Sequence, residues 1–137
     1  MIGGGGVALH KLLAISQFTD NITLIAQEFK PEINESNYKC IQKPYEAKDL
    51  QGFQVIYACT NNKQTNQQIH QDAKAQNSLI NVADNPELCD FISPAIFKKD
   101  EMSVAISSGG KNVKKAVAWR NKIKEIIMKD AIFQPDE

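Results

Sequence analysis

Apolar and polar positions along the 137-residue chain predict short strands that alternate with helices. Apolar residues recur at helical spacing from Ala8 to Ile15, and β-branched runs further along predict strands. The polar stretch 63–77 carries a few apolar residues and predicts an amphipathic surface helix. The predicted strands cover residues 21–26, 38–42, 54–59 and 79–83, with a helical turn at 47–50. This alternation indicates an α/β fold around a parallel sheet with right-handed crossovers.

The pattern changes after Pro94. Apolar runs at 95–97 and 103–107 flank a charged tetrapeptide and predict an antiparallel hairpin, and a lysine-rich amphipathic helix is expected over 111–129. A hairpin and one helix are too small to fold alone. They must pack on the first domain or on a second copy of the chain, so we expect a homodimer. The expected division is a first domain of residues 1–91 and a dimerisation region of residues 92–137.

Four consecutive glycines follow Met1 and Ile2. Gly3, Gly5 and Ala8 fit the pattern G-x-G-x-x-G/A, and the predicted helix and strand behind them supply most of the βαβ unit in which this pattern binds a dinucleotide. The helix N-terminus would direct free N–H groups at a pyrophosphate. The run therefore predicts a Rossmann-like, doubly wound sheet with a truncated first strand. A flexible glycine run that binds nothing is the alternative.

In parallel sheets, ligands bind outside the carboxyl ends of the strands. The glycine turn, Thr60 and Asp84 all follow predicted strands, so they should converge on one edge. Glu28 lies about twenty residues past the glycines, where an acid favours NAD over NADP. The residues expected to hold the cofactor are Gly3, Gly5, Gly6, Val7, Ala8, Gln27, Glu28, Thr60 and Asn61.

Composition excludes several classes of protein. Hydrophobic residues make up 42% and charged residues 23% of the chain, as in ordinary globular proteins. No apolar run reaches the ~18 residues of a membrane span, and the start lacks the features of a signal peptide, so a cytoplasmic protein is expected. The net charge is zero, yet residues 92–129 hold nine basic and three acidic residues, nine minus three or +6. This region is either a solvated helix face or an attractor of polyanions.

The cysteines and histidines do not indicate a metal centre. Cys40, Cys59 and Cys89 show no close pairing, and the first two fall in predicted strands, where a thiol packs as a small apolar group. His10 and His70 have no further ligand at a suitable spacing, so no metal site built by the protein is expected. Nucleic-acid binding by the basic helix is disfavoured, because Trp119 is its only aromatic residue available for stacking.

Residues 81–110 are dense in turn and acid signals, with Asp84 directly after a predicted strand. Together with three other blocks this run resembles the NAD-dependent precorrin-2 dehydrogenases, the amino-terminal module of siroheme synthases. The resemblance covers nearly the whole chain, from Gly3 to about Met128. The blocks that carry it are Gly3–Ala8, Asp49–Gly52, Asn81–Phe91 and Val104–Gly110.

The resemblance implies NAD-dependent oxidation of precorrin-2 to sirohydrochlorin, with ferrous iron insertion as an activity of several members. It implies a dimer that has residues 92–129 at its interface, a tetrapyrrole substrate rich in carboxylates, and Asp84 as the catalytic base. A turn-capping role for Asp84 is the alternative. Ser108, Gly109 and Lys111 are expected to hold a substrate carboxylate, although Ser107 and Ser108 equally suit a helix cap.

The chain departs from the family pattern at three points. Thr60-Asn61-Asn62 stands where the family has Thr-Asp-Asp, and Asn112-Val113 replaces Ser-Pro. The helical carboxyl-terminal domain of many members has no counterpart up to Glu137. A non-catalytic dimer that binds a dinucleotide or a tetrapyrrole, a shortened relative of the enzyme, is therefore the alternative function.

Overall fold

The computed structural model describes residues 1–129. The chain forms two compact units, Met1–Phe91 and Ile92–Glu137, and the expected parallel α/β organisation of the first is confirmed. The helices are α1 (Gly6–Ile15), α2 (Pro31–Asn34), α3 (Lys63–Ala75) and α4 (Val113–Lys129). The strands are β1 (Thr23–Ala26), β2 (Lys39–Gln42), β3 (Val55–Ala58), β4 (Leu79–Val82), β5 (Ala95–Lys99) and β6 (Met102–Ile106). Two short 3₁₀ helices, Ala47–Leu50 and Pro86–Leu88, complete the elements.

Ile2 joins the two halves of the parallel sheet. β1 pairs with β2 and β3 pairs with β4, and Ile2 forms parallel bridges to Ile25 of β1 and Ala58 of β3. Its N–H donates to the Tyr57 carbonyl at 2.8 Å, and its carbonyl accepts from the Cys59 N–H at 2.7 Å. The truncated first strand that the sequence predicts is therefore a two-residue stump that still holds the centre of the sheet together.

Two apolar clusters lie on opposite faces of this sheet, because neighbouring strand residues point in opposite directions. Leu24 packs with α1 and α2, whereas Ile25 packs with α3 and the first 3₁₀ helix. The first cluster holds Ala8, Leu12, Leu24, Ile33 and Cys59. The second holds Ile2, Ile25, Leu50, Ile56, Ala58, Ile69, Ala73, Ile80 and Val82. Helix packing on both faces is the doubly wound arrangement.

Helix α2 is absent from the sequence-based expectation. It is one turn long and begins at Pro31, whose fixed φ suits a first helical position. Its buried Ile33 packs in the first cluster, against residues of α1. A single turn is too short to show apolar periodicity, which is why the pattern does not predict it.

The second unit is an antiparallel hairpin followed by a long helix. β5 and β6 pair from Ala95↔Ile106 to Lys99↔Met102. Arg120 of α4 donates to the Ile96 carbonyl at 2.7 Å, and the hairpin's Phe97 is buried, 6% exposed. The predicted hairpin is present, and α4 begins at Val113, two residues later than expected. No helix within the described residues is long and apolar enough to cross a membrane.

Candidate cofactor cleft and acid site

The first two glycines of the turn are required by close backbone packing. Gly3 has φ +127°, and a Cβ there would lie 2.4 Å from the Cys59 carbonyl oxygen. A Cβ on Gly4 would lie 2.0 Å from the carbonyl oxygen of Glu28. Both distances are shorter than any real Cβ contact, so a side chain at either position would push neighbouring strands apart.

Gly5 serves a different purpose, since a Cβ there would meet nothing within 4 Å. The residue has an extended backbone and is the N-cap of α1, and no side chain caps this helix end. The first N–H groups of α1 therefore stay available to an anion at the turn. Open space beside uncapped N–H groups is the cradle that a dinucleotide pyrophosphate needs.

The glycine turn borders a cleft of about 750 Å³ at the carboxyl edge of the sheet. The structure brings six of the predicted cofactor residues to its walls: Gly3, Gly5, Gln27, Glu28, Thr60 and Asn61. Gly6, Val7 and Ala8 are not among the lining residues. Ala8 is fully buried in the first apolar cluster, and Val7 is 48% exposed. Ala8 thus occupies the position where a small residue lets the helix pack closely on the sheet.

Sequence reasoning missed a lysine at the rim of this cleft. Lys43 lines the cleft and donates to Asp49 Oδ1 at 2.7 Å and to Glu46 Oε2 at 2.8 Å. The hydrogen bonds that Lys43 donates to Asp49 and then to Glu46 raise the pKa of Lys43. Hydrogen bonds from Lys43 and Lys48 lower the pKa of Glu46 to about 2. The block Asp49–Gly52 contains one of the two carboxylates, but the sequence does not indicate that Asp49 pairs with Lys43.

Thr60 begins the loop that leads into α3. Asn62 caps this helix, with its Oδ1 accepting from the N–H groups of Gln64 and Thr65 at 2.9 and 3.0 Å. The Thr60 hydroxyl donates to Asn66 Oδ1 at 2.6 Å. Asn66 lies on the buried face of α3 and is only 1% exposed. The loop on the cleft wall is therefore held by a side chain from inside the domain.

Asp84 follows β4, as predicted, and its carboxylate is connected to this loop. Asn66 Nδ2 donates to Asp84 Oδ1 at 3.1 Å. Asp84 is exposed and lines a smaller pocket of about 290 Å³, which includes Lys63 and Gln67. The following turn is capped by Asn85, whose Oδ1 accepts from the Glu87 N–H at 3.2 Å. The capping role considered for Asp84 thus belongs to its neighbour.

Asp90 and the cysteines are structural. Asp90 accepts from the Ile80 N–H at 2.9 Å and from Lys74, and these contacts lower its pKa. Burial raises the pKa of Cys59 to about 11, so the thiol is neutral at physiological pH. Cys89 Sγ accepts from the Val82 N–H at 3.1 Å. Within residues 1–129, no three His, Cys, Asp or Glu side chains are grouped as a metal site.

The predicted substrate residues lie in the second unit. Ser108 Oγ accepts from the Asn112 N–H at 2.8 Å, and Asn112 Oδ1 accepts from the Lys115 N–H at 2.9 Å. Asn112 Oδ1 therefore caps the first turn of α4, which begins two residues later than expected, and Ser108 Oγ caps the turn before it. Gly109 and Lys111 are exposed in the turn before this cap.

Comparison with known proteins identifies a family model and a set of sequence relatives that match this chain. The NAD_binding_7 family model, described as "Putative NAD(P)-binding", matches residues 1–95. A siroheme synthase of Psychrobacter arcticus is 39% identical over 115 residues, which cover 81% of this chain and 21% of the relative. A siroheme synthase of Methylobacillus flagellatus is 30% identical over 131 residues, 93% of this chain and 28% of the relative. The chain thus spans about a fifth to a quarter of the length of these relatives.

Among solved structures, SirC, a precorrin-2 dehydrogenase, shares the fold with a TM-score of 0.72. The match is 24% identical and covers 90% of this chain and 62% of SirC. The family model alone spans more than half of the sequence, including the glycine turn, the cleft and Asp84. The chain therefore belongs to the NAD_binding_7 family.

Proposed function

We propose that the chain catalyses NAD-dependent oxidation of precorrin-2 to sirohydrochlorin in siroheme biosynthesis, in the cytoplasm. The observation that carries the proposal is the connection between the cofactor cleft and an exposed carboxylate, Thr60–Asn66–Asp84. The similarity to siroheme synthases and the shared fold with SirC support the substrate class.

The glycine turn fits a dinucleotide, because Gly5 offers open space beside the uncapped N-terminus of α1. Bound there, NAD⁺ would supply the hydride acceptor. Glu28, exposed on the cleft wall, suits a ribose hydroxyl and repels a 2′-phosphate. Lys43 does not offset this preference, because its ammonium is already paired with two carboxylates. We therefore propose NAD as the cofactor in preference to NADP.

The oxidation converts precorrin-2 and NAD⁺ into sirohydrochlorin, NADH and a proton. A base is needed for that proton, and Asp84 is an exposed acid at the same edge of the sheet that also accepts the hydrogen bond from Asn66. Its Oδ1 is engaged by Asn66, so we assign proton acceptance to Oδ2. Positioned carboxylates of this kind contribute about 10²–10⁴-fold to proton transfer.

We also propose that ferrous iron is a substrate of the same site. Insertion into sirohydrochlorin releases two protons from pyrrole N–H groups and gives siroheme. The pyrrole nitrogens supply the ligands of the product, so a metal cage built by the protein is not required. Asp84 would accept protons in this step as it does in the oxidation, and the name shared by the siroheme synthase relatives supports the activity.

We propose that the second unit forms a homodimer and captures substrate carboxylates. α4 leaves Val113, Trp119, Ile126 and Met128 exposed by 62%, 56%, 50% and 53%. Apolar exposure of this extent on one helix is typical of an interface. Ser108, Gly109 and Lys111 form the turn before α4, where N–H groups and an ammonium suit a carboxylate.

One assay tests the oxidation. The purified protein is incubated anaerobically with precorrin-2 and NAD⁺, and NADH and sirohydrochlorin are followed by absorbance. Both products should appear in equal amounts, and omission of NAD⁺ should abolish both. Tight binding of NAD⁺ or tetrapyrrole without turnover would instead establish the non-catalytic alternative.

A further inference from the structure

We propose that Asn66 is the positioning residue of this site: it fixes the Asp84 carboxylate and the Thr60 loop with one buried amide. The inference rests on the proposed function, since it assigns a role in that reaction to a residue outside the cleft wall. It depends on four hydrogen bonds among Thr60, Asn66 and Asp84.

Every hydrogen-bonding position of the Asn66 amide is used. Its Oδ1 accepts from the Thr60 N–H at 3.2 Å and from the Thr60 hydroxyl at 2.6 Å. Its Nδ2 donates to the Thr60 carbonyl and to Asp84 Oδ1, both at 3.1 Å. An asparagine side chain has two lone pairs and two N–H groups, so no capacity remains. A fully satisfied buried amide is a rigid support.

The direction of the amide is fixed by Thr60. A flipped amide would place its N–H groups against the Thr60 N–H and its oxygen against the Thr60 carbonyl. Two mismatched contacts in a buried position would leave polar groups without partners, which strongly disfavours the flipped amide. Asn66 therefore always presents a donor, and never an acceptor, to Asp84.

This arrangement positions two parts of the reaction together. Thr60 lines the cofactor cleft, and Asp84 lies in the adjacent pocket with Oδ1 held by Asn66. Because Asp84 Oδ1 is held in place, the direction of Oδ2 is fixed as well. Misplacement of a reacting group by about 1 Å can cost 10²-fold in rate, so the support should appear in kcat and not in cofactor affinity.

The test compares three variants in the 137-residue chain. Asn66→Asp keeps the oxygen for Thr60 but turns a second oxygen toward Asp84, so kcat should fall by about 10²-fold with unchanged KM for NAD⁺. Gln64→Glu is the matched control, because it adds the same negative charge in the first turn of α3 at an exposed position that lines neither the cleft nor the Asp84 pocket. It should retain kcat to within a few-fold. In an Asp84→Ala background, Asn66→Asp should cause no further loss, because coupled residues are non-additive.

A nuclear magnetic resonance measurement keeps this test independent of turnover. The Asn66 side-chain amide signals should shift in Asp84→Ala, and the amide protons should lose their protection from exchange with solvent. Signals that do not respond, or a kcat of Asn66→Asp equal to wild type or additive with Asp84→Ala, would overturn the inference. Absence of turnover in wild type, with the amide response intact, would overturn the proposed reaction but leave Asn66 as the support of this carboxylate.

Discussion

Asn66 Nδ2 donates a hydrogen bond to Asp84 Oδ1 at 3.1 Å across 18 positions of sequence. One residue lies on the buried face of α3 and the other is an exposed acid after β4. The bond exists because α3 is the crossover between β3 and β4 and packs against β4. The first turns of α3 therefore lie at the carboxyl end of β4. This hydrogen bond connects the proposed cofactor cleft to the proposed proton acceptor.

The glycine turn allows binding to be separated from folding. Gly5→Ala adds a methyl group in open space, so the free energy of unfolding should fall by no more than about 1 kcal/mol, the typical cost of alanine at an N-cap. The methyl group enters the pyrophosphate cradle, so the affinity for NAD⁺ should fall at least tenfold. Gly3→Ala is the contrast, because its Cβ meets the Cys59 carbonyl and the variant should be strongly destabilised. Thermal unfolding and calorimetric titration with NAD⁺ measure the two effects; unchanged affinity in Gly5→Ala would refute the assigned site.

Asp84 and Asp90 provide a matched pair of carboxylates. Asp84→Asn should lower kcat by about 10²–10⁴-fold and leave the affinity for NAD⁺ and the stability near wild type. Asp90→Asn should retain kcat but lower the unfolding temperature, because Asp90 accepts from the Ile80 N–H and from Lys74. Steady-state kinetics and thermal unfolding check both. Full activity in Asp84→Asn would contradict the assigned base but not the reaction.

Glu46 should titrate far below its ordinary range. Lys43 and then Lys48 lower its pKa from 4.5 to about 2. Because the folded-state pKa is the lower one, the pairing stabilises the protein fully above pH 4.5 and the contribution is lost as the pH falls toward about 2. The side chain is 52% exposed, so the gain in stability is small.

Carboxyl carbon chemical shifts as a function of pH measure this pKa. Lys43→Met should raise it more than Lys48→Met, because the Lys43 side chain is 27% exposed and the Lys48 side chain 69%. An exposed pair is screened by solvent and contributes less. A wild-type Glu46 that titrates near 4.5 would show that the pair with Lys43 does not persist in solution.

The apolar face of α4 predicts the oligomeric state. Ile126 is 50% exposed on this helix, so Ile126→Glu should convert the proposed dimer into a monomer. Leu13→Glu is the matched control, because it makes the same apolar-to-charged change at a side chain that is 59% exposed on α1, and it should remain dimeric. Sedimentation equilibrium gives the mass of each. A monomeric wild type at micromolar concentration would contradict the proposed dimer.

Local patterns determined much of this protein. The spacing of apolar residues is enough to predict the parallel strands, α1, α3 and the hairpin. Each of these segments buries one face, and that face sets the period at which apolar residues recur. The glycine turn and Asp84 could be identified in the same way, since each stands directly after a predicted strand.

Tertiary structure decided the rest. The two residues before the glycines join the halves of the sheet because Ile2 pairs with Ile25 on one side and with Ala58 on the other. Local sequence does not show this pairing. The support of Asp84 by Asn66 joins residues that are 18 positions apart in the sequence. A polar residue such as Asn66 on a mostly polar helix carries no sign of its burial in sequence. Its role follows only from which strand end the helix packs against, and a long-range hydrogen bond is specified by that packing and not by local pattern.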